Sequence, residues 1–175
     1  MKIVITGANG AVGSEVLRQD SYVIPVSVRP NDFGSFEEVV RGADFLIIAG
    51  GLIKSTDTKE LMGANTYLPM DLISIAQEIN PDVRSLVISS MSLLDRNGEH
   101  KPTQELSEYA ISKASMESVV KRFPNTTVVR FSTIFYGDPT RDGLSKIIYD
   151  AKRTSTAVVR ECRRDFIPVE KVAHS

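Results

Sequence analysis

Hydrophobic and polar positions change their period several times along this chain, and each change marks a new element. Ile3-Val4-Ile5 is a short β-rich run bounded by Gly7, and its lack of polar alternation suits a central strand covered on both faces. From Ala11 the period becomes helical: Val12, Val16 and Leu17 fall on one face, with Glu15 and Arg18 on the other. Val23 to Val28 predicts a second strand. Ser35 with Glu38 three residues on reads as a capping box, opening a short helix that ends at Gly42. Phe45 to Ala49 is the next buried strand. A long helical pattern then runs through Leu61, Leu68, Leu72, Ile75, Ala76 and Ile79, and Pro69 should kink it or start a new segment.

Ser85 to Ser89 forms another apolar strand. Asp95 to Pro102 has no period and several turn formers, so it predicts a solvated loop. A helix follows from Ser107 to Arg122, then a strand from Thr127 to Phe131, then a helix carrying Leu144, Ile147 and Ile148. Strands alternating with helices predict an α/β fold: a Rossmann-like, doubly wound parallel sheet with helices on both faces, joined by right-handed crossovers. No internal repeat or low-complexity segment interrupts it.

Length and composition fit one such domain. The chain has 175 residues, 42% apolar and 25% charged. A net charge of -1 argues against nucleic acid or an anionic membrane as partner and favours small molecules. Cys162 is the single cysteine, and His100 and His174 are the only histidines, so neither a disulfide framework nor a structural metal site is expected. The apolar run after Met1-Lys2 is too short for a signal peptide, and no stretch approaches the ~20 apolar residues of a membrane span. The expected location is the cytoplasm.

The strongest chemical signal is Thr6-Gly7-Ala8-Asn9-Gly10-Ala11-Val12-Gly13, which joins a predicted strand to a predicted helix. A pyrophosphate at such a junction needs backbone N–H groups close to its oxygens and no side chains in the way. Gly7 permits the tight turn, Gly10 lets the backbone approach the phosphates, and Gly13 lets the helix pack on the strand. The cofactor expected here is a dinucleotide. Downstream, Tyr109 and Lys113 stand four residues apart on one helix face. A phenol with a pKa near ~10 exchanges protons poorly at neutral pH unless a nearby positive charge stabilises its phenolate, and Lys113 is placed to supply one. A serine cluster, Ser89-Ser90-Met91-Ser92, ends the strand before this helix.

These features, in this order, resemble the short-chain dehydrogenase/reductase superfamily, in particular its extended branch of nucleotide-sugar-modifying epimerases and dehydratases. The resemblance implies that Ser90 polarises a substrate oxygen, with Ser89 and Ser92 as alternatives. It implies that Tyr109 exchanges a proton with that oxygen as hydride moves at nicotinamide, and that Lys113 also holds the nicotinamide ribose. Cofactor contacts are implied for Gly7, Asn9, Gly10, Ala11, Val12 and Gly13. They are implied also for the adenine-contacting pair Asp32-Phe33, the small-residue segment Ala49-Gly50-Gly51, and the backbone near Thr133, while Asn65 stands where the family has a structural asparagine. Arg29 ends the second strand and tilts the cofactor toward NADP over NAD; it reads equally well as a solvated strand-end charge.

Dehydratases of this branch follow the Ser/Thr with Asp-Glu, and Met91-Ser92 occupies those places, so keto-reduction or 4-epimerisation is expected instead. The segment Arg164 to Ala173 is similar to one near the sugar-nucleotide site of the family, making Arg164 a candidate for the substrate phosphates. Arg160, Arg163 and Arg164 read equally well as a charged strand edge. Extended members continue well past this point. Residues 138–175 would therefore form a reduced substrate portion, unless recognition is shared with another subunit or carried by residues outside this sequence. A homodimer through helices near Tyr109 is the assembly the resemblance implies. Two other functions stay open: a non-catalytic dinucleotide-binding sensor or scaffold, and an NADP-linked reductase of a non-sugar carbonyl.

Overall fold

The computed structural model describes residues 1–29, 32–138, 140, 143–154 and 166–172. Arg164, Cys162 and His174 lie outside them. Five parallel strands form the sheet: β1 (Ile3–Thr6), β2 (Val23–Val26), β3 (Phe45–Ile48), β4 (Arg84–Ser90) and β5 (Thr126–Phe131), in the order β2-β1-β3-β4-β5. Val4 of β1 pairs with Ile24 and Leu46, and Ile88 of β4 with Val129. The first strand is thus central, as its unbroken apolar run requires. Val4 and Ile5 are both fully buried, and because successive strand residues face opposite ways, the sheet is covered on both sides.

Helices α1 (Ala11–Gln19), α2 (Gly34–Val40), α3 (Thr58–Met62), α4 (Leu68–Ile79) and α5 (Glu108–Val120) connect the strands. Phe36 and Val40 of α2, Leu72, Ile73 and Ala76 of α4, and Met116 and Val120 of α5 make the principal core with Val4, Leu46 and Val87 of the sheet. A separate two-stranded parallel sheet joins β6 (Thr133–Phe135) to β7 (Phe166–Pro168); α6 (Gly143–Thr154) and α7 (Val169–Val172) complete the described elements. No described helix is long and apolar enough to cross a membrane.

Three local expectations are corrected. The capping box at Ser35 is not formed: α2 starts at Gly34 with Phe33 at its N-cap and no side-chain cap bond, because Phe33 is drawn against the core and starts the helix before Ser35. The second strand stops at Val26, two residues before Val28. Glu15 is buried rather than solvated, because Arg18 and Gln19 fold over its carboxylate and hydrogen-bond it. Pro69 acts as expected, starting a new segment. It stands in the first turn of α4, and Gly63–Tyr67 before it is a wide π turn. A proline ring clashes with the carbonyl four residues back, and the wider turn relieves that clash.

Candidate active site

The C-terminal ends of β1 and β3 lie side by side, while the chain leaves them toward different helices, and a doubly wound sheet opens its ligand crevice at such a point. The glycine turn closes one side of it. Gly7 has φ +75°, and a Cβ there would lie 2.3 Å from the Gly50 amide nitrogen; a Cβ on Gly13 would lie 2.3 Å from the Gly7 carbonyl oxygen. Strand, turn and helix can approach this closely only without those side chains. Gly10 is the N-cap of α1: its carbonyl accepts the Ser14 N–H at 3.0 Å, and its own N–H donates to Gly7 O at 2.9 Å. No side chain caps this helix and its first turn holds no acidic residue, so its leading amides and positive dipole end remain open to an anion.

Beneath the turn is a cavity of about 220 Å³ lined by Thr6, Gly7, Val28, Gly50, Gly51 and Pro69, among others. The Thr6 hydroxyl is buried with no hydrogen-bond partner. A cradle that a Cβ would fill and an unsatisfied buried hydroxyl at its wall both fit a dinucleotide. Arg29 and Asp32 are exposed at the next strand end, joined by an Asp32 N–H to Arg29 O bond of 3.1 Å, while Phe33 packs against the core.

Asn65, fully buried in the π turn, fastens the far wall of the crevice. Its Nδ2 donates to Leu52 O at 2.8 Å and Ser112 Oγ at 2.9 Å, and its Oδ1 accepts the Leu52 N–H at 2.8 Å. Thr66 Oγ1 donates to Ser112 O at 2.8 Å. The segment after β3 is thereby held to α5 one residue before Lys113.

Helix α5 begins at Ser107, whose Oγ accepts the Ala110 N–H, and it carries Tyr109 and Lys113 toward the end of β4. Lys113 is 5% exposed and donates from Nζ to Ile88 O at 3.0 Å; burial lowers its pKa to about 8. Burial raises the Tyr109 pKa, and a hydrogen bond with the Ser90 side chain pulls the other way. Ser90 Oγ also accepts the Ser92 N–H at 3.1 Å, which fixes the hydroxyl.

The three serines are thus told apart. Ser90 meets Tyr109, Ser89 Oγ donates to Glu117 at 2.7 Å, and Ser92 Oγ is buried without a partner. Thr133 is exposed at the start of β6, paired with Phe166. The residues that sequence reasoning passed over are Glu117 and Arg130. Their signals were present: Glu117 continues the four-residue stripe of Tyr109 and Lys113, and Arg130 is a charge inside an apolar strand.

No protein-family model and no curated protein matches the chain. Solved structures do match. MoeE5 in complex with UDP-glucose and NAD superposes with a TM-score of 0.77 at 19% identity, over 99% of this chain and 69% of that one. The Bordetella bronchiseptica enzyme WbmH in complex with NAD+ gives 0.78 at 16% identity, over 99% and 70%. The UDP-glucuronic acid 4-epimerase from Bacillus cereus in complex with NAD gives 0.73 at 16% identity, over 99% and 72%. At these identities the likeness is one of fold, and this chain spans about 70% of each of those chains.

Proposed function

We propose that this chain is an oxidoreductase or epimerase of the short-chain dehydrogenase kind, acting with NAD(H) or NADP(H) on a carbonyl or hydroxyl of a sugar nucleotide or similar polar metabolite. The observation that carries this reading is the convergence of Ser90 at the end of β4 with Tyr109 and Lys113 on one face of α5, Lys113 being fixed to Ile88 O, at the same C-terminal end of the sheet as the glycine cradle. The matched structures that carry NAD and UDP-sugars support it.

Gly7, Gly10 and Gly13, with Asn9, Ala11 and Val12, would hold the pyrophosphate against the start of α1. Val28 and Pro69 offer apolar surface to the adenosine end, and Asp32 with Phe33 would contact the adenine. Ala49, Gly50, Gly51 and the backbone at Thr133 would border the rest of the cofactor. Arg29 favours a 2′-phosphate, so Arg29→Ala should weaken NADPH binding and spare NADH.

When bound, the cofactor supplies or accepts a hydride at its nicotinamide ring. In reduction, Ser90 donates a hydrogen bond to the substrate carbonyl oxygen while Tyr109 transfers its phenolic proton to that oxygen, completing the change from C=O to CH–OH. In oxidation the same groups run in reverse, and Tyr109 takes the hydroxyl proton. Epimerisation is the two in succession. A phenol with a raised pKa is protonated at neutral pH, which suits the acid role. Lys113 is mostly charged at pH 7 and is the group to stabilise the phenolate and hold the nicotinamide ribose. Arg164, with residues 138–175, is proposed for the substrate phosphates; the cytoplasm is the proposed location and a homodimer the proposed assembly.

The test follows nicotinamide absorbance and epimer formation across a panel of sugar nucleotides and simple carbonyls. Tyr109→Phe should lower turnover by about 10²- to 10⁴-fold while cofactor affinity holds. Equal turnover by the variant would sink the mechanism, and tight cofactor binding with no turnover on any substrate would leave a binding module.

A further inference from the structure

Tyr109, Lys113 and Glu117 succeed one another at four-residue steps along α5, so they share a face. The first two serve the proposed reaction. Glu117 does not reach it, yet it is 3% exposed and accepts four side-chain hydrogen bonds. Its Oε1 accepts from Ser89 Oγ at 2.7 Å and Arg130 Nε at 2.7 Å; its Oε2 accepts from Arg130 Nη2 at 2.6 Å and Lys121 Nζ at 3.1 Å. Each carboxylate oxygen thus has two donors, which is its full capacity. The guanidinium meets it as a two-pronged fork, the most directional form of ion pair.

The consequence lies in what this carboxylate joins. The last three residues of β4 all face α5: Ile88 O accepts from Lys113, Ser89 donates to Glu117, and the Ser90 side chain stands beside Tyr109. Arg130 brings β5 to the same point. The strand that presents Ser90 and the helix that presents Tyr109 are therefore locked together one residue from Ser90 and two helical turns from Tyr109. Without that lock, a small slide of helix against strand separates the two, and misplacement of about 1 Å at a reacting centre can cost a hundredfold in rate.

We propose that Glu117, with Ser89 and Arg130, is a positioning unit that sets the Ser90–Tyr109 geometry; it rests on the reading of Tyr109 as the proton-transferring group. None of the three touches the reacting atoms.

The experiment reads Tyr109 itself. In protein labelled at the tyrosine ζ carbon, the Tyr109 signal is identified by its loss in Tyr109→Phe, and its midpoint is followed by NMR as pH rises. Ser89→Ala removes the tie without changing charge. Its Tyr109 midpoint should rise by about half a pH unit, a roughly threefold fall in ionisation constant, the size expected for a lost neutral hydrogen bond. Ser89→Thr restores the hydroxyl and should restore the midpoint.

Glu117→Gln gives a second reading with the opposite electrostatic bias. Removing a negative charge by itself favours the phenolate and lowers the midpoint. A rise in that variant therefore reports displacement of Ser90. An unchanged or lowered midpoint in folded Ser89→Ala overturns the proposal. Full turnover by Tyr109→Phe would instead overturn the catalytic reading and leave the titration result standing, so the two failures are distinct.

Discussion

On the proposed reading, Lys113 serves chemistry at the expense of stability. Its ammonium is buried and its pKa falls from 10.5 to about 8, so the native state disfavours the charged form. Native protein binds fewer protons than unfolded chain between those values, so stability rises with pH from about 8 to 10.5, and the full penalty applies below 8. At about 1.36 kcal/mol per unit that penalty is roughly 3 kcal/mol. Lys113→Met should accordingly raise the melting temperature at pH 7, by about 1 to 3 kcal/mol of stability, and flatten the rise toward alkaline pH, while abolishing turnover. Thermal unfolding over a pH series checks it. Tyr109 and Lys113 were legible in the sequence because helix period alone puts them on one face. The choice among Ser89, Ser90 and Ser92 was not, because all three sit where a strand ends. Ser89 is set apart by Glu117 and Ser90 by Tyr109, both distant in sequence, while the Ser92 hydroxyl is buried without a partner.

At the scale of elements, the glycine turn was the most legible feature, since Gly7 and Gly13 stand where a Cβ would lie 2.3 Å from backbone. Gly7→Ala meets both a positive φ and the Gly50 backbone, and Gly13→Ala meets the Gly7 carbonyl; each should cost more than about 2 kcal/mol in a denaturant melt and weaken dinucleotide binding. Asn65→Ala should cost about 2 to 3 kcal/mol by stranding the Leu52 backbone groups, and it should loosen the segment that borders the crevice, seen as faster amide exchange at Leu52. The break at Pro69 was readable because a proline's effect is local. The start of α2 was not, because core packing of Phe33 overrode the local capping signal of Ser35. The same limit hid Glu15, whose burial is set by Arg18 and Gln19 closing over it.

For the whole molecule, alternation of period was enough to predict a parallel α/β sheet, but not its strand order. Among the described residues no strand lies outside β2, where the full Rossmann sheet carries a further one. The Glu117 cluster ties α5, β4 and β5 into one unit and so bears on global stability. Its carboxylate is buried, which alone would raise the pKa, but hydrogen bonds from Arg130, Ser89 and Lys121 hold it down at about 2. Stability from a depressed carboxylate is fully present above the ordinary value of 4.5 and is lost as pH falls toward 2. Glu117→Gln should be about 3 kcal/mol less stable than the parent at pH 7, with the gap closing between pH 4.5 and 2 in urea melts. The central claim is that the glycine cradle and the Ser90–Tyr109 pair serve one cofactor. A crystal structure of the chain with a nicotinamide dinucleotide tests it most directly. The account predicts pyrophosphate over the first turn of α1 and nicotinamide beside Tyr109, with Lys113 on its ribose. Pyrophosphate bound elsewhere, or a nicotinamide ring turned away from Tyr109, would contradict it.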